Sequence, residues 1–487
     1  MKQPRGVTRV PVGIKILVGV MVLSGVGPNF LLTLLAAFVL WLGFSLLWRP
    51  GESPIFLYVF GYQWLQASVK IFQANLSDQP LMALADYGGD IEEAASLSLI
   101  ALLMLAMGMR WGAGRAAPWL AQAAHDQALR FDVGLWFKLY MLAVVVSMAA
   151  TAAAGMIPAL AQLLLALAGL KWAFFFMLTY AAFVRPSGQR RLWTVAFLLE
   201  FLMGLVGYFS AFTKVMMFSL MGVLAGGVRF TSGRVFALCL MGGLTLLLAV
   251  VWTAVKMEYR SYLSGGQSAQ IVTVGYSAGL SKLGELVMSL DQHGLERGSE
   301  KLISRISYVD FFGSVLGVVP EMKPHTQGDI WLDAISRPFM PRALFPEKSA
   351  IDDSARTREY TGIMVSGAEQ GTSISIGYVG ESYIDFGTVG MMPAILGFGW
   401  LLGRSYRWMA QESAMRGLLG MGLANAVLFG AALLESSITK VFGGLIAAYI
   451  VVWLLNRLVF PRYLSWLLLA GRGERGESAP RAALRRA

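Results

Sequence analysis

The chain has 487 residues, 56% hydrophobic and only 14% charged, with a net charge of +11 and a mean hydropathy of +0.61. This composition exceeds what a water-facing surface tolerates, so it excludes a row of soluble domains and makes the bilayer the solvent for most of the chain. The basic residues are scattered over short connections and form no compact patch interleaved with aromatics, which argues against nucleic acid as a partner.

Crossing about 30 Å of hydrocarbon takes roughly 20 helical residues. Runs of that kind predict an all-α polytopic protein with twelve spans, at 14–27, 29–48, 54–73, 94–109, 133–154, 158–184, 192–209, 213–228, 235–255, 386–403, 417–434 and 441–456. Only Gly25, Gly27, Pro28 and Asn29 divide the first pair, and one long tilted helix is the competing reading. No A-x-A-like site follows the first apolar stretch, which favours an uncleaved helix over a signal peptide. Lys2, Arg5, Arg9 and Lys15, then Arg49, then Arg110, Arg115 and Arg130 mark one face as cytoplasmic. Arg185, Arg190, Arg191, Arg229, Arg234, Arg404, Arg407, Arg416, Arg457 and Arg462 fall on that face too, giving an N-in, C-in arrangement. The chain then divides into a bundle over 1–255, an exported segment over 256–384, a second bundle over 385–460 and a basic tail over 461–487.

Cys239 stands alone in an apolar span and reads as a packing residue. His125, His293 and His325 are too scattered for a metal cluster, and no P-loop or dinucleotide fingerprint occurs. Neither a metal nor a cofactor is expected. Glu200 and Lys214 are charges within spans, and they read as partners of each other or of the exported segment; Lys171 is a third.

The exported segment carries the chemistry. VKMEYRSYL, Val255 to Leu263, places Lys256, Tyr259 and Arg260 on one helix face, which suits either a phosphate or interfacial snorkelling without a ligand. Leu302, Ile306, Val309, Phe312 and Leu316 recur at helical spacing and predict one amphipathic helix at the membrane surface, with Arg305 beside Tyr308 as a further ligand candidate. In RPFMPRALFPEKS, Arg337 to Ser349, three prolines stiffen a loop bearing Arg337, Arg342 and Lys348. GTSISIGYVGESYIDFGTVG, Gly371 to Gly390, brings Glu381, Tyr383 and Asp385 to the mouth of span ten. The two carboxylates stand four residues apart, towards one cavity if the helix has begun. The reading without a ligand makes Glu381 a helix N-terminal carboxylate and Asp385 a salt-bridge partner.

GYVGESYIDFGTVG, PRALFPEK and KMEYR, with FSAFTK (Phe209 to Lys214) as a weaker fourth, resemble segments of the bacterial Wzy-type polymerases, which join lipid-linked oligosaccharide repeats into surface polysaccharides. The matching strings cover about a tenth of the chain. The resemblance implies a GT-C-like inner-membrane glycosyltransferase that uses undecaprenyl-pyrophosphate-linked glycans as donor and acceptor, with a chain-length regulator and a flippase as partners. It implies that Arg260, Lys256, Arg342 and Lys348 stabilise the leaving pyrophosphate, helped by Tyr259, Arg305, Tyr383 and Lys214 at the substrate. Glu381, ahead of Asp385, is then the general base.

Overall fold

The computed structural model describes residues 18–22, 27–206, 212–227, 232–267, 272–340, 347–367 and 372–460, with Lys15, Phe345 and Arg462. Among the described residues the chain is all-helical, without a strand. Residues 18–22 are helical, and the chain turns at Gly27–Asn29 before α1 (Phe30–Leu47). Asn29 makes this a real division of the first apolar stretch. Its buried side chain donates to Asn75 Oδ1 (3.0 Å) and the Gln79 carbonyl (2.8 Å) and accepts from the Leu81 amide (2.7 Å), so its polar atoms are satisfied by protein.

The first bundle continues through α2 (Ile55–Leu76), α3 (Ile91–Ala113), α4 (Pro118–Arg130), α5 (Val133–Met156), α6 (Ala161–Gly169), α7 (Lys171–Phe183), α8 (Arg191–Val206), α9 (Phe212–Ala225) and α10 (Ser232–Leu263). Among the described residues, seven helical stretches are long and apolar enough to cross a membrane: Phe30–Leu47, Ile91–Ala113, Val133–Met156, Pro158–Phe183, Cys239–Leu263, Tyr378–Glu412 and Ile438–Leu458. Hydropathy alone predicts twelve, and the difference has local causes. The stretch 14–27 falls largely outside the described residues. α2 is long enough, but it carries Gln63, Gln66 and Lys70, all buried. α8 and α9 have 16 and 14 residues and flank 207–211, outside the described residues. α5 shows what the bundle turns outward: Leu142, Val145 and Met148 are each about 60% exposed, a surface suited to lipid. Cys239, expected to pack, also lies exposed, on α10.

Glycine spacing fixes the central pair of helices. A Cβ on Gly108 or Gly112 of α3 would stand 2.1 Å from the carbonyl oxygen of Leu396 or Trp400. Conversely, a Cβ on Gly399 or Gly403 would stand 2.3 Å from the carbonyl of Leu105 or Met109. Small residues four apart on both partners let two backbones touch where lipid offers no hydrophobic drive.

Beyond residue 255 α10 runs on to Leu263 and is followed by α11 (Tyr276–Met288), α12 (Gln292–Ile306), α13 (Val309–Leu316), α14 (Asp329–Ser336) and α15 (Asp353–Thr361). The single amphipathic helix expected through Leu302 and Leu316 is not formed. Ser307 turns extended after closing α12, the Tyr308 amide donates to the Gln66 carbonyl of α2 (3.2 Å), and Asp310 of α13 meets Lys70. Lys70 also holds Asp86 at 2.8 Å. These α2 contacts bend the chain into two helices where periodicity alone reads one. α16 (Tyr378–Arg407) is kinked at Gly387, whose φ of 67° favours glycine, and α17 (Leu418–Leu428) and α18 (Ile438–Leu458) complete the bundle.

Candidate functional site

The first two turns of α16 carry Glu381 into the protein, where it is 1% exposed. Its Oε1 accepts from Arg356 Nη1 of α15 (2.8 Å), and its Oε2 accepts from the Ile438 amide (2.7 Å) at the start of α18. Burial works against the Arg356 charge, but the Glu381 carboxylate outweighs it and raises the guanidinium above its ordinary value. Asp353, one turn before Arg356, is also buried. Its Oδ2 receives the Ser437 hydroxyl (3.1 Å) and the Lys440 ammonium (2.7 Å), and Lys440 donates in addition to Ser373 (2.7 Å). Two carboxylates and two cations thus close on one another around the N-terminus of α18, a position that favours negative charge.

Asp385 stands apart from this cluster. It accepts from the Thr326 hydroxyl and from the backbone amides of Ile330 (3.1 Å) and Trp331 (2.8 Å). It therefore serves as the anion at the start of α14, not as a second carboxylate in a shared cavity with Glu381. Tyr383 donates to the Val319 carbonyl (3.1 Å) and packs edge-on against Phe312 and His325. Together they support a polar hollow of about 680 Å³ lined by Lys323, His325, Thr326, Gln327, Asp329, Glu359 and Tyr360.

A third group gathers where α12 folds back on α10. Gly298 permits this approach, since a Cβ there would meet Ala254 and the Val250 carbonyl at 3.0 Å. Lys256 then lies within electrostatic reach of Arg305, Arg260 and Lys301, all positive. Arg305 is exposed and in turn acts on Glu435 and on Tyr62. Glu435 lies between α17 and α18, and its Oε2 accepts from Gln66 Nε2 of α2. Burial raises the Glu435 carboxyl above the ordinary range, with the Gln66 hydrogen bond and the Arg305 charge opposing. Tyr308 links this group to the first: its phenol donates to the Ser375 carbonyl, and the charges of Glu435, Asp353 and Glu381 all reach it.

Not every predicted residue joins these groups. Tyr259 is fully buried against Trp252 (5.7 Å between rings) in a small core with Phe212, Leu283 and Leu286, so it packs α10 on α11. Lys348 folds back on its own loop, donating to the carbonyls of Arg337 and Met340, while Arg337 pairs with Asp333 at 3.1 Å. Arg342 lies outside the described residues. Lys171, not Lys214, holds Glu200 at 2.8 Å, and Tyr140 donates to the same carboxylate (2.7 Å). Lys214 lines a cavity considered below. No group of metal-ligating side chains occurs among the described residues.

Sequence reasoning passed over Arg356, Asp353, Lys301, Glu435 and Lys440. Glu435 had a readable signal, a carboxylate in AALLESSITK between two apolar stretches, where an ionisable group is costly unless it is held.

No curated protein and no solved structure matches the chain. One family model does, over residues 119–461, from α4 to three residues beyond α18, and it takes in every charged group just described except those of α2 and its loops. By that match the chain belongs to the family described as a domain of unknown function, DUF8712.

Proposed function

We propose that the protein is a membrane glycosyltransferase of the Wzy-type kind, which polymerises undecaprenyl-pyrophosphate-linked repeat units on the periplasmic face of the bacterial inner membrane. In this reading the fold is GT-C-like, about twelve helices cross the bilayer, and both termini are cytoplasmic. The observation that carries the reading is the approach of α12 to α10 at Gly298, which brings Arg305 and Lys301 within electrostatic reach of Lys256 beside Arg260, with Glu435 in reach of Arg305. Like charges repel, and a pyrophosphate has the charge and the oxygens to offset the repulsion that Lys256 feels from its neighbours.

The chemistry follows from that placement. The anomeric C–O bond to pyrophosphate breaks, and the cations stabilise the charge that builds on the leaving group. An acceptor hydroxyl forms the new C–O bond and gives its proton to a carboxylate. We assign that role to Glu435 in place of Glu381, since both Glu381 oxygens are already engaged in a closed ion pair. Undecaprenyl pyrophosphate then departs. The hollow at Lys323–Tyr360, with its imidazole, hydroxyl and carboxylate groups, has the chemistry to hold sugar hydroxyls. The lipid-linked glycans and the bilayer are then its immediate partners, and a chain-length regulator and a flippase its functional ones.

Cells lacking the protein test the reading. Single-repeat glycans are expected. Long chains stranded on undecaprenyl pyrophosphate would instead identify a ligase, and repeat units retained on the cytoplasmic face would identify a transporter.

A further inference from the structure

A cavity of about 390 Å³ opens beside the closed cluster, among α6, α7, α9, α17 and α18. Its volume is within the usual range of ligand sites, about 300–1,000 Å³. Its polar lining residues are Gln162, Lys214, Ser436 and Lys440. Along α18 the lining is apolar through Val441, Gly444, Leu445 and Ala448, about 10 Å of helix at 1.5 Å per residue, with the Gln162 amide facing Gly443. Trp172, Phe218 and Phe429 form an aromatic wall, and Ala166 and Gly169 keep the opposite side shallow. Small residues at those positions leave a slot rather than a packed interface.

Lys214 is the odd group. Among the described residues it makes no hydrogen bond or ion pair, and the charge that acts on it is another cation, Lys171, already held by Glu200. Lys440, in contrast, bridges from the slot to Asp353. An unpaired ammonium in a mostly apolar slot, two of whose walls (Pro158–Phe183 and Ile438–Leu458) are helices able to cross a membrane, suits one ligand chemistry: a negative headgroup on a slender apolar chain.

We propose that this slot binds a polyprenyl phosphate lipid, with Lys214 on its phosphate and the first isoprenoid units lying along α18 between Val441 and Ala448. The choice of a polyprenyl chain rests on the function proposed above; the headgroup charge and the slender tail come from the slot itself. Held there, the phosphate end of the lipid stands next to Lys440 and hence beside the Asp353 and Glu381 cluster. The slot would be the lateral entrance by which a lipid-linked substrate or the departing lipid carrier passes between bilayer and site.

The test uses the full-length protein in nanodiscs with a photoreactive analogue of undecaprenyl phosphate, followed by peptide mapping. Crosslinks on α18 between Val441 and Ala448, or on the facing α6, are expected. Lys214→Ala should weaken labelling about tenfold, the loss of one charge-assisted contact. Lys214→Arg should retain it, and Ala448→Trp, which fills the slot, should abolish it in protein that still shows a cooperative melting transition. Competition by undecaprenyl phosphate, but not by inorganic phosphate or phosphatidylglycerol, is the expected pattern. Labelling elsewhere, labelling unchanged in both Lys214→Ala and Ala448→Trp, or equal displacement by inorganic phosphate or phosphatidylglycerol would overturn the proposal. Binding without any glycan extension by the same preparation would leave the slot standing and refute the polymerase reading; extension without binding in the slot would do the reverse.

Discussion

The two charged clusters of this protein solve opposite problems. Around the start of α18, Glu381 meets Arg356 and Asp353 meets Lys440, and both carboxylates are about 1% exposed. Where α12 folds on α10, Lys256 feels three further cations, Arg305, Arg260 and Lys301, and Arg305 in turn reaches the carboxylate of Glu435. A buried pair such as Glu381 with Arg356, in which both carboxylate oxygens are engaged, holds elements together and gains little from a ligand. A set of like charges costs free energy until something negative arrives. The contrast therefore assigns architecture to the first cluster and ligand chemistry to the second, although the carboxylate singled out by sequence lies in the first.

If the contrast is right, variants of the two clusters should separate on two readouts, melting temperature and glycan extension. Glu435→Gln should lower extension by about 10²- to 10⁴-fold, the span of general-base losses, with melting unchanged. The sign of its pH dependence is fixed by burial. A base acts deprotonated, and a raised pKa delays deprotonation, so the acidic limb of the wild-type profile should lie above the ordinary carboxylate range and vanish in Glu435→Gln. A limb in the ordinary range, or an unchanged rate, would remove Glu435 from the chemistry.

Glu381→Ala should act mainly on stability, costing about 3 kcal/mol or more because Arg356 is left largely buried and unpaired. Replacing both partners, Glu381→Leu with Arg356→Leu, should recover most of that loss. An extension defect in Glu381→Ala at unchanged melting would return the catalytic role to Glu381 and break the comparison. Gly403→Leu is the control for architecture outside either cluster. It forces a side chain into the Met109 carbonyl and should cost about 1–3 kcal/mol, as overpacking does. The smallest effect belongs to Arg337→Ala. Its partner Asp333 is 40% exposed, so a change below about 1 kcal/mol is expected, with extension intact; a large loss of extension would bring the proline-rich loop back into the site.

Much of this architecture could be read before any fold was known, and the parts that could not have definite physical reasons. Apolar runs of membrane length located α5 and α18 within three residues, whereas α10 runs eight residues past its expected end at 255 and α16 begins eight residues before its expected start at 386. The division at Asn29 was visible as a break, though its meaning rests on Asn75, Gln79 and Leu81, far along the chain. Lys256 and Arg305 were each noted, but their meeting depends on Gly298 letting α12 lie on α10, which no local spacing reports. Asp385 reads from sequence like a twin of Glu381 because both lie on one helix. Its role is decided by the amides of Ile330 and Trp331, which arrive from more than fifty residues away. Arg356 sits in DDSARTREY among equally polar neighbours, with nothing local to mark it. The paired glycine spacing of α3 and α16, in contrast, was present in the sequence as a readable packing signal.

Extension of a defined undecaprenyl-pyrophosphate-linked repeat by the purified full-length protein, measured beside Arg305→Ala, tests the central claim most directly. The wild type should lengthen the glycan and release undecaprenyl pyrophosphate, and Arg305→Ala should be slower by about 10²- to 10³-fold, the loss typical of one group stabilising developing negative charge, while melting unchanged. A repeat left unextended by a folded wild type, or an Arg305→Ala variant as fast as the wild type, would contradict it.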